Sequence, residues 1–345
     1  MKGGTTLIMK KQDLLYALEK VKPGLAQSEL IEQTTSFAFI NGYVVTYNDQ
    51  ICVSHPLPNV KIEGAVKARE LYALLNKFKQ DKLSLSIQGS ELQLICGKAK
   101  AGLTLETEIN LPLSEFENVK YKWKRVPNGF LDAIKFTIFS CSDDMSLPVL
   151  TCIHVNEGGI VESCDNYRLT RYLIESKIPV HTFLLPADVA RELVKYAPSE
   201  MAQGKGWVHF KTKEGSLFHA RIYQEKYPDI SALLEVKGDT ITLPKGLPDV
   251  LDRAMIFAKR DLVMDETVQI QLQNKRMKIR AESDTGWFEE ELRLSYTGDN
   301  ISLLINPRFL KDIHARSRAC VLSEARDRLK FESKDRVHVI ALAKE

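Results

Sequence analysis

Asp143 and Asp144, seven histidines, six cysteines and three tryptophans are the side chains in this 345-residue sequence that could do chemistry or stack on a base. The adjacent carboxylates lie in SCSDDMS, where a divalent cation is conceivable, but acids flanked by serines more often close a turn on their own backbone. The histidines are isolated. His154, His209 and His338 alternate with apolar neighbours, which predicts strand positions that face outward or are hydrogen-bonded. Cysteines 52, 96, 141, 152, 164 and 320 show no CxxC pair, which argues against a zinc site and for a reducing cytoplasm. Trp123, Trp207 and Trp287 are too scattered for a base-stacking platform. There is no P-loop, GxSxG or HExxH. No catalytic constellation assembles, and no cofactor or metal is expected.

What remains is charge and its placement. The net charge is only +3. Six helical passages, drawn with their flanks, carry an excess of ten positive charges, so the rest of the chain is acidic by seven. Basic helices on an acidic body predict a localised polyanion-binding surface. A solvated basic face with no ligand is the competing reading.

The helical passages follow one plan, clearest in TFLLPADVARELVKYA, Thr182 to Ala197. A short apolar run meets Pro186 in what should be the first helical turn, and Asp188 follows near the positive end of the helix dipole. Val189, Ala190, Leu193, Val194 and Ala197 recur at helical spacing and predict one buried stripe. Similar passages begin near Lys10, Lys67, Pro127, Pro244 and Pro307. Successive steps from Pro127 to Pro186, Pro244 and Pro307 are 59, 58 and 63 residues. Six near-evenly spaced copies predict a repeated module in three pairs.

The length agrees, since a third of the chain is a common domain size. The 44% hydrophobic and 27% charged composition is that of a soluble globular protein. No apolar run can span a bilayer, and the N-terminus offers no adequate signal-peptide core. Between helices the sequence alternates apolar and polar residues. FAFINGYVVTYND predicts a hairpin turning at Asn41-Gly42. LTLETEINLP predicts a strand with Leu103, Leu105, Ile109 and Leu111 buried and an acidic opposite face. Helix, strands, helix, strands in each third predicts an α+β fold: three tandem domains at 1–118, 119–234 and 235–345, each with two helices on one face of antiparallel sheets.

At this point the chain resembles the bacterial sliding clamp, the beta subunit of the replicative DNA polymerase. The resemblance is weak at single residues but runs the full length. CDNYRL (164–169) is similar to that family's T-D-G-H-R-L turn, Tyr227-Pro228-Asp229 to its F-P-D connector, and LSYTGDNISLLINPRFLKDI (294–313) to its Y-S-G strand and final helix. The resemblance implies half of a head-to-tail ring with helices inside and sheets outside. The homodimer would encircle double-stranded DNA without reading sequence, and would serve a DNA polymerase and a clamp loader. Helix geometry agrees: six helices about 9 Å apart leave a hole of about 7 Å, and twelve leave about 24 Å, enough for a duplex. The divergence is compatible with a bacterial chromosome, a phage or a mobile element as source.

The resemblance also nominates residues. Lys20, Lys22, Arg69, Lys77, Lys79, Arg191, Lys195, Arg253, Lys311 and Arg316 would face DNA, touching phosphates loosely so that sliding is possible. A partner-peptide pocket maps to Cys164, Asn166, Tyr167, Arg168 and Leu169, with Val149, Val339, Ala341 and Leu342. Such a cleft suits a peptide bearing Leu or Phe with a carboxylate or amide, while a plain Asp-Asn turn is the alternative reading of CDNYRL. The pocket departs from the family pattern, with Asn166 and Tyr167 for Gly and His, Glu235 for a proline, and an IALAKE tail. The dimer joint maps to Ile256 and Phe257 in one subunit. Their mapped partners, Glu106 and Glu108, are acids that would be costly to bury there. Either Lys259 and Arg260 pair with these acids or the correspondence slips; elsewhere in the joint Lys98 and Lys100 complement Glu289, Glu290 and Glu291, which predicts pairing across strand edges. The rival readings are a clamp-fold regulator or decoy that binds clamp partners without encircling DNA, and a nucleic-acid-processing enzyme.

Overall fold

The structure, a computed structural model, describes residues 6–116 and 120–343. The domain boundary expected at 118 and the last two residues of the IALAKE tail lie outside the described residues. All six expected helices form: α1 (Lys11–Val21), α2 (Ala68–Lys77), α3 (Phe130–Thr137), α4 (Ala187–Leu193), α5 (Leu247–Ala258) and α6 (Pro307–His314). Among the described residues no helix is long and apolar enough to cross a membrane. The chain divides into two compact units, one of residues 1–127, 178–181 and 188–223, the other of 128–177, 182–187 and 224–345.

Each unit holds one four-stranded and one eight-stranded sheet, antiparallel throughout. In the first unit the small sheet runs Leu7–Lys10, Lys82–Gln88, Glu91–Cys96, Ala99–Thr104. The large one runs Gly64–Lys67, Ser36–Ile40, Tyr43–Tyr47, Ile51–Pro56, then Leu217–Arg221, Trp207–Lys211, Glu200–Gly204, Lys124–Arg125. The second unit repeats the plan. Its large sheet runs Phe183–Pro186, Cys152–Val155, Ile160–Cys164, Arg168–Leu173, then Arg336–Ala341, Arg328–Ser333, Ala319–Ser323, Gly238–Thr242. Its small sheet runs Gly286–Arg293, Arg276–Ser283, Val268–Gln273, Ile301–Ile305. Each large sheet therefore joins strands from two successive thirds of the sequence.

Local chemistry explains the elements. In α1, Leu14, Leu15, Leu18 and Val21 make the buried stripe; in α2, Ala68, Leu71 and Leu75 do. Asn306 caps α6, its side-chain oxygen accepting the N–H of Arg308 at 3.0 Å and of Phe309 at 3.4 Å, with Pro307 at the first helical position. The expected turn at Asn41-Gly42 forms with φ of 50° and 75°, the pair of positive angles that a two-residue hairpin turn requires.

Three expectations are corrected. Pro186 ends an edge strand, opposite Cys152, and the helix begins one residue later; an edge tolerates a residue with no N–H. α4 then stops at Leu193, and Tyr196 takes the buried place expected for Ala197, which is exposed at φ 46°. Pro198 disfavours helical backbone at the residue before it. The strand predicted through Leu111 ends at Thr104. Beyond it Glu106 makes one isolated bridge to Ala65, and Ile109 and Leu111 pack on the large sheet beside Val45, Tyr47 and Trp207.

The charge placement also changes. Within the helix bounds acids and bases are equal in number, and the excess sits in flanking residues such as Lys10, Lys22, Lys67, Lys79, Arg316 and Arg318. The helices are bordered by positive charge and are not themselves basic.

Candidate partner-peptide site and nucleic-acid face

The CDNYRL loop is a turn built by Asp165. Its carboxylate accepts the N–H groups of Tyr167 at 2.8 Å and Arg168 at 2.7 Å, and the Arg168 Nε at 3.1 Å. Burial pushes the Asp165 carboxyl up even though Arg168 pulls it down. The plain-turn reading therefore accounts for Asp165, and the same turn orients Arg168. Strand Arg168–Leu173 then pairs with Arg336–Ala341, placing Leu169 opposite Val339 and Arg168 opposite Ile340. The Ala341 N–H donates to the Tyr167 carbonyl at 2.7 Å.

Most nominated pocket residues are thus brought together by one pairing. Cys164, Leu169 and Val339 are buried floor, and Tyr227 donates its hydroxyl to the Cys164 sulfur at 3.3 Å. Tyr167 is 41% exposed and Ala341 is exposed, while Arg168 and Leu342 are half-buried. Asn166 is exposed at the loop tip, and Val149 is half-buried in a single turn, Pro148–Thr151.

Sequence reasoning missed the residues behind Arg168. Its guanidinium lies 4.1 Å from the centre of the Phe309 ring and 5.6 Å from that of Phe139, and pairs with Asp312 at 3.0 Å. Phe309, Asp312 and Arg316 follow one another at spacings of three and four along α6 and its end, a helical-face signal that was present in the sequence. Below them His338 is fully buried, with Nδ1 bonded to the Thr170 hydroxyl at 2.8 Å and Nε2 without a partner among the described residues. Burial holds its imidazole well below the usual range, with Arg168 and Arg316 adding to the effect. His154 and His209 are hydrogen-bonded as expected, to Glu162 and His219, but His209 is buried and does not face outward. Asp144 accepts the Ser146 N–H at 2.8 Å, the turn foreseen for SCSDDMS.

The cations nominated to face DNA divide into two sets. Lys22, Arg69, Lys77 and Lys79 have no carboxylate partner among the described residues. Lys22 lies over the Tyr72 ring and, with Arg69 and Lys67, borders a cleft of about 610 Å³. The others are engaged. Lys20 meets Glu214 at 3.4 Å; burial alone would lower its ammonium pKa, but Tyr16 and Glu214 outweigh it and raise it. Lys195 pairs with Glu192 at 2.7 Å, and Arg191 with Asp188. Arg253 makes two bonds to Glu290, at 2.9 and 2.8 Å, and Lys311 pairs with Asp252. Arg316 also has no carboxylate partner among the described residues, but its guanidinium packs 4.2 Å from the Phe139 ring centre and bonds the Asp312 carbonyl. A uniform basic lining is therefore replaced by four free cations around α1 and α2.

The joint residues also shift. Lys98 and Lys100 are exposed, Lys98 in the turn before and Lys100 on the edge strand Ala99–Thr104; Glu289, Glu290 and Glu291 lie on the edge strand Gly286–Arg293. All three acids already have intrachain partners. Glu289 meets Lys278 at 2.9 Å and Arg280 at 3.4 Å, Glu290 meets Arg253, and Glu291 meets Arg276 at 2.6 Å. Glu106 and Glu108 are held from inside their own unit. The Gln33 amide nitrogen donates to the Glu106 carboxylate at 2.9 Å and to the Glu108 carbonyl at 2.8 Å. Ile256, 71% exposed, and half-buried Phe257 lie at the end of α5 beside the acidic edge, while Trp287, 61% exposed, lies opposite Glu282 with the Arg280 guanidinium 5.3 Å from its ring centre. Gly286, at φ 153°, lets the Phe257 ring lie against its backbone, since a Cβ there would sit 3.1 Å from the ring.

No family model matches the chain. It is 24% identical over 270 residues to the beta sliding clamp of Pseudomonas aeruginosa, which covers 73% of this chain and 71% of that protein. Among solved structures, the DNA polymerase III subunit beta from P. aeruginosa superposes with a TM-score of 0.83 at 17% identity, over 99% of this chain and 100% of the other. The beta chain from Streptococcus pneumoniae gives 0.84 at 18% identity, with the same coverage. The sliding clamp from Bacillus subtilis gives 0.82 at 17%, over all of both chains. The chain is similar in sequence to the bacterial beta sliding clamp and has the fold of the DNA polymerase III beta clamps along its whole length.

Proposed function

We propose that this chain is a cytoplasmic sliding clamp: two copies close head to tail around duplex DNA and hold a polymerase on its template, with no catalysis of their own. The observation that carries this reading is the end-to-end likeness to solved clamps at TM-scores of 0.82 to 0.84. The repeated strand plan supports three domains at 1–118, 119–234 and 235–345. The free edges of Ala99–Thr104 and Gly286–Arg293 support closure by strand addition between copies, since an unpaired edge is a template for another strand. Ile256 and Phe257 would supply the apolar part of that joint. The loop 164–169 with strand Arg336–Ala341 would take peptides from the polymerase and from a clamp loader. Phosphate contact would begin at Lys22, Arg69, Lys77 and Lys79.

Light scattering over a range of concentration and salt tests closure. The expected mass is twice the 39.1 kDa of one chain. A monomer at every concentration overturns the ring, because six helices cannot surround a duplex.

A further inference from the structure

The strand Arg328–Ser333 brings two cations beside the nominated pocket. Residues directly opposite one another in an antiparallel pair share one face of the sheet. Cys164 is opposite Leu169, Leu169 is opposite Val339, and Val339 is opposite Lys330. Further along the same pairing, Ala341 is opposite Arg328. The buried floor of Cys164, Leu169 and Val339 therefore continues sideways into Lys330 and Arg328. Alternation sends Thr170 and His338 to the other face, and Arg168 goes with them. The Phe139 ring centre lies 5.6 Å from the Arg168 guanidinium and 5.1 Å from that of the His338 ring. Arg168 is thus turned away from the pocket face. The two cations that remain differ in how far their charge is met. Lys330 is mostly buried and pairs with Glu332 at 2.8 Å, on the side away from Arg328. Arg328 meets Asp327 through Nε alone, at 3.3 Å, and the same carboxylate oxygen accepts the Ser323 hydroxyl at 2.8 Å. Its two Nη groups, the open end of the fork, have no partner among the described residues. The Arg328 side chain is 29% exposed, so an anion would meet it partly out of water. The Leu342 N–H donates to the Asp327 carbonyl at 2.8 Å, which holds this register to the end of the pocket.

We infer that the strand Arg328–Ser333 is a further wall of the partner site, and that Arg328, across from Ala341, receives a carboxylate of the bound peptide. The inference rests on the reading of the loop 164–169 and strand Arg336–Ala341 as a partner-peptide site. The floor of Leu169 and Val339 provides for a leucine or phenylalanine. Strand spacing and rise put Arg328 about 8 Å from Val339 across the sheet, so the acid belongs about two or three residues from that apolar side chain. A guanidinium with both Nη groups open matches a carboxylate with two parallel bonds. An amide of the same size accepts weaker bonds and brings an NH₂ group that repels the fork.

Three fluorescent peptides with one Leu-Phe pair test this, read by anisotropy on the full chain. One carries an aspartate close to the pair, the second an asparagine there, and the third the same aspartate at its far end. The first should bind about tenfold more tightly than either of the others at low salt, with the gap closing as salt rises. The third has the same charge as the first, so it separates a placed carboxylate from general attraction. In Arg328→Gln the gap should vanish, and Arg328→Lys should keep part of it, since it retains the charge without the fork. If the first peptide binds no better than the second or the third, the role of Arg328 is overturned and the pocket stands. A full gap in a folded Arg328→Gln overturns it too. Failure of all three to bind overturns the pocket reading and the inference with it. Because the first comparison uses the unaltered chain, it holds even if Arg328→Gln does not fold.

Discussion

Gln33 is 1% exposed, has a positive φ of 65°, and serves three groups of the segment 106–110: the Glu106 carboxylate, the Glu108 carbonyl and, through its own oxygen, the Asn110 N–H at 2.8 Å. Nothing in the composition of LIEQTTSF marks it for this. A glutamine at a turn reads as solvated, and its partners lie more than seventy residues away. Replacing it should leave a carbonyl and an N–H without partners, at a cost of about 2 kcal/mol in urea denaturation. Gln33→Gly separates the causes, because glycine accepts the positive φ without penalty and still lacks the amide. If Gln33→Gly is as stable as the unaltered chain, backbone strain and not the amide dominates at this position. Asn306, by contrast, was readable, since an asparagine before a proline and an apolar helical run is a capping pattern; Asn306→Ala should cost about 1 kcal/mol by the same measurement.

Among the strands, Trp207–Lys211 and Leu217–Arg221 place His209 directly opposite His219, with their Nδ1 atoms 2.7 Å apart. One Nδ1 must donate and the other accept, so the accepting ring is neutral and at most one of the two can be charged. Burial lowers His209 to about 4, and burial together with His209 lowers His219 to about 3. In the unfolded chain each would titrate near 6.5. Between that value and the folded ones the unfolded state binds more protons, so stability is complete above about 6.5 and is lost as pH falls towards about 4. The loss is at most about 1.4 kcal/mol per pH unit for each histidine, and His338 adds in the same direction. Thermal unfolding should therefore move to lower temperature between pH 7 and pH 5, and His219→Phe should flatten that slope. A midpoint unchanged across this range would mean the pair is already charged in the fold. The strands that carry these histidines were legible from alternation, as the helices were from apolar residues three and four apart. The alternation of Leu103, Leu105, Ile109 and Leu111 misled because period two reports that one face is buried, not which sheet buries it. The end of α4 was missed because the apolar stripe continues on paper past the point where Pro198 stops it.

For the whole molecule, the sequence-level charge division predicted a lining of basic helices, and the structure offers fewer free cations than that. The difference arises because acids such as Asp188, Glu192, Asp252 and Glu290 lie within reach of the basic side chains, and linear spacing shows only some of those pairs. This separates two ways of staying on DNA. A protein held by charge loses affinity steeply with salt, with a slope of about −0.9 for each phosphate neutralised. A closed ring on a circular duplex is held by topology and is indifferent to salt until the joint opens. Binding to short linear duplexes should be weak and carried by Lys22, Arg69, Lys77 and Lys79, so changing these four to glutamine should flatten the salt dependence by up to about 3.6. Changing Arg191, Lys195 and Arg253 together should alter it little, because their charges are already met within the chain. Retention on closed circles should survive both sets of changes and end when the circle is cut. A quadruple variant with an unaltered slope would place the phosphate contacts elsewhere, and release from intact circles by moderate salt would mean that the ring does not close.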